Sequence, residues 1–480
     1  MGYLLLTGST GLVGGYLLRY LLEKEEHVAV LVRSTRIQPA VDRVEAVMQR
    51  WERLEGRTLP RPVVLEGDLT TPQLGLDDQA TRWVTEHCDR VLHNAASMTF
   101  REDPRSHEPF RTNVDGVQNM LDLCRRTGVR QFHHVSTAYV CGLRTGSVLE
   151  TELDLGQENG NVYERSKLTG EKMVLEADHL QQVTVYRPAS VVGDSQTGYT
   201  TSAHGFYLPL QLASTIADKV PTSLMGDRFF RLLGLSGSEG KNLVPVDWLA
   251  QAIVDLVSAP PQHGRTYHLT NPQPVTVRLI QEVIQEAVEK YSTRQFSGVL
   301  SEKEIADLEQ LFGQYMDIYR SHWRDDPLFD RTHTDRALPH LPCPMVDHDM
   351  LLRIAAYPVQ KNFAFYEPTP PPTGLESRPR LESLSPVSSA ATGRSMNLEV
   401  SGPGGGQWRL QVHGDRLLGA SPGLDDSSSC GIYLNNDTFA ELIQRRRNLR
   451  QAIDTGRLII EGAEADAATT LRALETVFQS

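Results

Sequence analysis

The sequence predicts an α/β protein: a doubly wound parallel sheet with a smaller lobe, then a separate α+β domain. Three observations lead there. Apolar, β-branched runs alternate with helical patterns from Met1 to about Gly193. A glycine-rich turn, "TGSTGLVGG", joins the first run to the first helical pattern. A proline- and serine-rich stretch then interrupts the chain, after which strand and helix patterns restart.

The elements follow in order. "GYLLLTG" reads as a strand and "GGYLLRYLLEKEE" as the helix after it. "HVAVLVR", "RPVVLEGD", "CDRVLHNAA", "VRQFHHVS" and "QVTVYRPASVVG" are further strands. Such continuous apolar runs, separated by helices, belong to parallel strands covered on both faces. The domain is expected to span 1–365, with a substrate lobe at about 194–235 and 273–362, and with "NLVPVDWLAQAIVDL" and "RTYHLTN" returning to the sheet. Residues 366–395 lack hydrophobic periodicity and read as a linker. From 396 to 480, "MNLEV", "QWRLQVHG", "RLLGA", "CGIYL" and "GRLIIEG" look like strands, with helices at "NDTFAELIQRRRNLRQAI" and "ADAATTLRALETVF"; "GPGGG" at Gly402 is a hairpin turn.

Composition narrows the function. A chain of 480 residues with 40% hydrophobic and 22% charged residues is soluble and globular, and too long for one core. A formal charge of -12 argues against nucleic acid, which needs a basic surface. No apolar run is long enough to span a membrane, and the apolar N-terminus runs straight into the glycine turn, unlike a leader peptide. The cysteines Cys88, Cys124, Cys141, Cys343 and Cys430 are scattered without a Cys-x-x-Cys pair, so neither a disulfide framework nor a metal site is expected. The expected compartment is the cytoplasm. His133 and His134 read as packing or surface residues.

The glycine turn predicts dinucleotide binding. Gly8 permits the tight turn, Gly11 lets a pyrophosphate approach, and Gly14 allows close helix–strand packing. Gly8, Ser9, Thr10, Gly11, Leu12, Val13 and Gly14 would hold the phosphates at the positive helix end. The second strand ends in Arg33, where an NAD site usually places an acid; a guanidinium suits a 2′-phosphate, so NADP(H) is expected over NAD(H). Asp68 and Leu69 follow the third strand, where Asp68 could meet the adenine amino group. Asn94, Ala95 and Ala96 end the fourth, small enough for a cofactor to lie close. Ser136 and Thr137 follow the fifth. Ligands gather at these strand ends. In "NVYERSKLTGE", Tyr163 and Lys167 share one helix face, where an ammonium would lower the phenol pKa.

Together "TGSTGLVG", "GDL", "HNAA", "TNVDG", "VSTAYVCG", "YERSK" and "YRPASVVGD" resemble the extended short-chain dehydrogenase/reductases, a Rossmann-type family, over roughly Met1–Phe363. The resemblance implies that Tyr163 is the general acid/base, Lys167 its partner at the nicotinamide ribose, and Thr137, more than Ser136, the hydroxyl on the substrate oxygen. It also implies that Asn113 supports a proton relay and that Pro188 and Val191 line the nicotinamide pocket. "HNAASMTF", "YRPASVVGDSQTG", "LVPVDWLAQAI" and "FDRTHTDRAL" are most similar to the branch of thioester and fatty acyl reductases. That branch implies NADPH-dependent reduction of an acyl thioester, here a coenzyme A ester or a substrate brought by an acyl carrier protein in trans. "IYLNNDTFAELIQRRRNLRQAIDTGRLIIEG" resembles the sterol carrier protein type 2 family, which implies a lipid-binding C-terminal domain; a docking module is the other reading. An alcohol or hydroxysteroid dehydrogenase, a sugar-nucleotide epimerase or dehydratase, and a non-enzymatic lipid-binding scaffold are the competing functions.

Overall fold

The computed structural model describes residues 2–24, 27–221, 234–294, 296–298, 300–317, 323–365, 381, 394–402, 404–414, 416–425, 427–428, 430–462, 472 and 474–475. The chain divides into two compact units, Met1–Ala40 with Val63–Tyr366, and Val41–Pro62 with Glu367–Ser480. Nearly all of the expected linker, and the expected final helix, lie outside the described residues.

The first unit is built on a seven-stranded sheet. Its strands are β1 (Tyr3–Thr7), β2 (Val28–Val32), β3 (Val63–Glu66), β4 (Cys88–His93), β5 (Gln131–Val135), β6 (Gln182–Pro188) and β7 (Thr266–Leu269). Their order is β7-β6-β5-β4-β1-β2-β3, and every pair is parallel. All five residues of β2 are buried, as a strand covered on both faces requires. Strand order reverses between β1 and β4, the place where such sheets open a crevice. The expected doubly wound sheet is therefore present, and "RTYHLTN" does return to it as β7.

Helix α1 (Leu12–Glu23) follows β1, and helices α3 (Asp78–His87), α4 (Gly116–Thr127) and α5 (Val162–Leu175) connect later strands. Helix α2 (Ala40–Glu55) lies between β2 and β3 in sequence. A second core in this unit gathers Tyr207, Leu210, Ile280, Val283, Trp323 and Leu351 from the lobe. The "FDRTHTD" stretch is tied down by Glu150, whose buried carboxylate accepts from the His268, His333 and Thr334 amides. No helix among the described residues is long and apolar enough to cross a membrane.

The second unit holds a mixed five-stranded sheet. Strands β8 (Arg394–Ser401), β9 (Gly406–His413), β10 (Arg416–Pro422), β11 (Cys430–Asn435) and β12 (Leu458–Gly462) are ordered β10-β9-β8-β11-β12. Only the β8–β11 pair is parallel. The β8–β9 hairpin turns at the Gly402 stretch. Alternating burial along β8 and β9 leaves one apolar face, filled by Leu398, Trp408, Leu410, Ile432 and Phe439.

One segment departs from the expected boundaries. Residues 41–62, between β2 and β3 in sequence, group with the C-terminal strands. The physical reason is specific pairing. Arg61 donates to Glu45 (3.0 and 3.1 Å), to Glu52 (2.7 and 3.0 Å) and to the Ser401 hydroxyl (2.6 Å). The Thr58 amide and hydroxyl donate to the carbonyls of Gly456 (2.9 Å) and Arg457 (2.6 Å). On α2, Val44, Met48 and Trp51 are buried at helical spacing, with Leu59 just beyond.

Arg61 is the cation of this cluster, and the Glu52 side chain beside it is only 3% exposed. Removing the cation strands that carboxylate. Arg61→Met should therefore lower stability of the full chain by about 3 kcal/mol, read as a lower urea midpoint. An unchanged midpoint would show that the cluster contributes nothing.

Candidate active site

The glycine turn is shaped both by the chain and by something the chain does not supply. Gly8 has φ +73°, and a Cβ there would lie 2.8 Å from Ala95 Cα. At Gly14 a Cβ would overlap the Gly8 carbonyl, so α1 packs against β1 only because Gly14 has none. At Gly11 a Cβ would meet nothing nearer than 3.4 Å. The chain itself does not require glycine there; a group approaching the backbone would. Gly11 also begins α1 without a side-chain cap, and the first turn has no acid, which leaves amides directed at an anion. The Ser9 hydroxyl is buried without a protein partner. Leu12 and Val13 are half-buried beside it. These features fit a dinucleotide pyrophosphate.

The other strand ends supply the rest. Arg33 is exposed at the end of β2, with Nη1 3.9 Å from Asp68 Oδ2 after β3. Asp68 also accepts from the Thr70 amide and hydroxyl, each at 2.9 Å. The Leu69 carbonyl accepts from Asn119 on α4, which fixes that loop. After β4, the Asn94 and Ala95 amides donate to the Thr7 hydroxyl, each at 3.1 Å. That hydroxyl must then donate to His93 Nδ1, 3.0 Å away. Ala96 is exposed just beyond, and Val191 is half-buried in the short strand Ser190–Val192.

The catalytic candidates converge beside this loop. Asn161 caps α5 by accepting from the Glu164 amide, which starts the helix one turn before Lys167. Tyr163 is 8% exposed, and the Thr137 hydroxyl is near enough to its phenol to favour the ionised form. The ring of Phe100 lies 5.7 Å from that of Tyr163. Ser136 faces away: its hydroxyl donates to Glu171 at 2.5 Å, so of the two adjacent hydroxyls Thr137 meets the phenol. Thr137 also approaches the Pro188 carbonyl, at 3.4 Å.

Asn113 lies in the π-helical turn Arg111–Asp115, a form that often marks functional sites. Its amide donates to the Ser97 carbonyl and the Ser166 hydroxyl, both at 2.9 Å, and accepts from the Ser97 amide at 2.7 Å. The side chain thus joins the loop after β4 to α5.

Protonation differs from the sequence expectation. Burial pushes the Tyr163 phenol up, the Glu164 carboxylate adds to that, and only the Thr137 hydrogen bond opposes it. The Lys167 ammonium is turned to the Val135 carbonyl at 2.8 Å. Burial in turn brings Lys167 down to about 8, with Glu171 opposing. Tyr163 is therefore a neutral phenol at pH 7. Burial, which the spacing cannot reveal, outweighs the helical neighbour. Sequence reasoning also missed Phe100, Ser97 and Glu171; only Glu171 left a signal, its place four residues beyond Lys167.

Fold and site together define a dinucleotide-dependent oxidoreductase of the extended short-chain dehydrogenase/reductase type. The comparisons narrow this. Residues 6–253, just over half of the chain, match the NAD-binding family described as male sterility protein, and the chain belongs to that family. It is 28% identical over 295 residues to a non-reducing polyketide synthase of Emericella nidulans, covering 60% of this chain and 11% of that one. It is 25% identical over 388 residues to a non-canonical nonribosomal peptide synthetase of Aspergillus hancockii, covering 74% and 36%. The chain thus spans a small part of those relatives' length. Among solved structures, the terminal R domain of the myxalamid PKS-NRPS pathway aligns with TM-score 0.58 and 26% identity, over 76% of this chain and 92% of that one. A thiolation-reductase di-domain of an archaeal nonribosomal peptide synthetase shares the fold, with TM-score 0.55 and 22% identity, covering 76% of each chain. Family membership makes the bound group a nicotinamide dinucleotide.

The histidines His93, His133 and His134 are buried strand residues, not surface ones. The rings of His93 and His134 stack at 5.7 Å, and His133 bonds the Tyr186 hydroxyl at 2.8 Å. Burial lowers His93 to about 3 and holds His133 and His134 well below the usual range. The unfolded chain, titrating near ~6.5, binds these protons first. Stability should thus fall as pH drops below ~6.5, by about 1.4 kcal/mol per unit for each histidine. Urea midpoints at pH 7, 6 and 5 test this; His134→Phe should make the fall shallower, and a flat profile would contradict it.

Proposed function

We propose that this protein is an NADP(H)-dependent reductase of acyl thioesters, taking its substrate as a coenzyme A ester or from an acyl carrier protein. The observation that carries the reading is the buried, neutral Tyr163 phenol, with the Thr137 hydroxyl beside it, at the crevice of a nucleotide-binding sheet. A neutral phenol can give a proton but cannot take one, which suits reduction better than oxidation of an alcohol. Arg33 at the end of β2 supports NADP(H) over NAD(H). The likeness to a terminal R domain, and to synthetases and synthases several times longer, supports a carrier-bound thioester.

Bound reduced nicotinamide would supply a hydride to the carbonyl carbon. Thr137 hydrogen-bonds the carbonyl oxygen and Tyr163 donates its proton there as charge develops. The resulting hemithioacetal passes its hydroxyl proton to the departing sulfur as the carbon–sulfur bond breaks, giving an aldehyde and a free thiol. Lys167 sits one turn along α5, where its ammonium would stabilise the phenolate as the proton leaves. Pro188 and Val191 would border the nicotinamide, and Asn113 holds α5 against the loop after β4. We read the C-terminal unit as a sterol-carrier-like domain that handles the acyl chain, supported by its one-sided apolar sheet.

The test follows NADPH and NADH oxidation by the full chain against long-chain acyl-CoA, fatty aldehyde, ketosteroid and sugar-nucleotide panels. Acyl-CoA should be reduced, with NADPH preferred. Tyr163→Phe should cut turnover by about 10²–10⁴-fold while NADPH binding persists. Arg33→Ser should raise the apparent Kd for NADPH more than for NADH. Turnover confined to sugar nucleotides, or to steroid alcohols, would overturn the proposal.

A further inference from the structure

Helix α5 carries a third ionisable side chain in line with Tyr163 and Lys167. Glu171 lies four residues beyond Lys167 and its side chain is 0% exposed. One carboxylate oxygen accepts from Arg187 Nη2 at 2.6 Å and Nε at 3.0 Å, and the other from the Ser136 hydroxyl at 2.5 Å. Arg187 extends the network by donating to the Glu152 carbonyl at 2.7 Å, and it approaches His268 Nε2 at 3.4 Å. Ser136 directly precedes Thr137. One carboxylate therefore grips both the helix that carries Tyr163 and Lys167 and the strand end that carries Thr137.

The surroundings of Lys167 give that charge a second use. On α5, Tyr163 lies one turn before it and the Glu171 carboxylate acts on it from one turn beyond. From β4 and β5 come the imidazoles of His93 and His134, both held neutral by burial. Its ammonium donates to the Val135 carbonyl, which is a dipole and not a counter-ion. Glu171 is the charged group that favours the ammonium.

Resting on the reductase reading above, we propose that Glu171 is a positioning residue of the reaction: its negative charge keeps Lys167 an ammonium inside the buried crevice, and its hydrogen bond to Ser136 holds Thr137 against Tyr163. A merely structural carboxylate would leave the protonation of Lys167 unmoved.

Glu171→Gln separates the two roles, since the amide can still bond Ser136 but carries no charge. Because it strands the Arg187 guanidinium, Glu171→Gln/Arg187→Met provides a variant without a buried orphan cation. The chain has eight lysines, so labelling lysine Cε with carbon-13 and assigning by Lys167→Arg gives a direct titration of this side chain. The wild-type midpoint should lie near about 8. In Glu171→Gln it should fall by about one unit or more, by less in the double variant, which also removes the Arg187 cation, and Glu171→Asp should restore it. Since the ammonium is present below its midpoint and lost above it, the basic limb of NADPH-dependent turnover should move to lower pH by the same amount. A Lys167 midpoint unchanged in a folded variant overturns the proposal. A shifted midpoint in a protein that reduces no thioester supports the role of Glu171 and counts against the substrate reading alone.

Discussion

The approach of the Thr137 hydroxyl to the Tyr163 phenol is the constraint on which the rest of the site depends. It exists because two elements of different origin are brought to one place. Thr137 follows β5 and sits at the carboxyl end of the sheet. Tyr163 opens α5, whose start is set by the Asn161 cap. Holding them together takes the Asn113 bridge to Ser97 and Ser166 and the grip of Glu171 on Ser136. None of these contacts is large. Their effect is to hold one buried phenol beside the Thr137 hydroxyl.

Burial has opposite consequences for the neighbouring groups, and the difference is useful. It favours the neutral form of every titratable side chain, so it raises a phenol and lowers an ammonium. Tyr163 is thereby kept a neutral phenol, while Lys167 is brought down toward neutrality with the Glu171 carboxylate opposing. The stacked histidines, neutral for the same reason, contribute bulk without competing charge.

Much of this was legible in the sequence because it rests on local rules. Uninterrupted apolar runs such as "VAVLV" can only be covered parallel strands, and Gly8 and Gly14 are demanded by a backbone conformation and a close approach. The Tyr163–Lys167 spacing marks a shared face whatever surrounds it. Other features were hidden because they depend on partners remote in sequence. The apolar stripe of Val44, Met48 and Trp51 says that α2 packs on something, but its grouping with the C-terminal strands follows from Arg61 reaching Ser401. The choice between Ser136 and Thr137 turns on side-chain direction at one strand end. The upward shift of Tyr163 reflects depth of burial, which spacing does not encode.

The claim most exposed to experiment is that hydride reaches an acyl carbon in this crevice. Turnover of a long-chain acyl-CoA with NADPH carrying deuterium at both C4 positions, followed by mass analysis of the product, addresses it directly. The account predicts an aldehyde bearing one deuterium on its carbonyl carbon, or an alcohol bearing two if reduction continues. A product without deuterium on that carbon, or cofactor left unoxidised in the presence of every thioester, would contradict it.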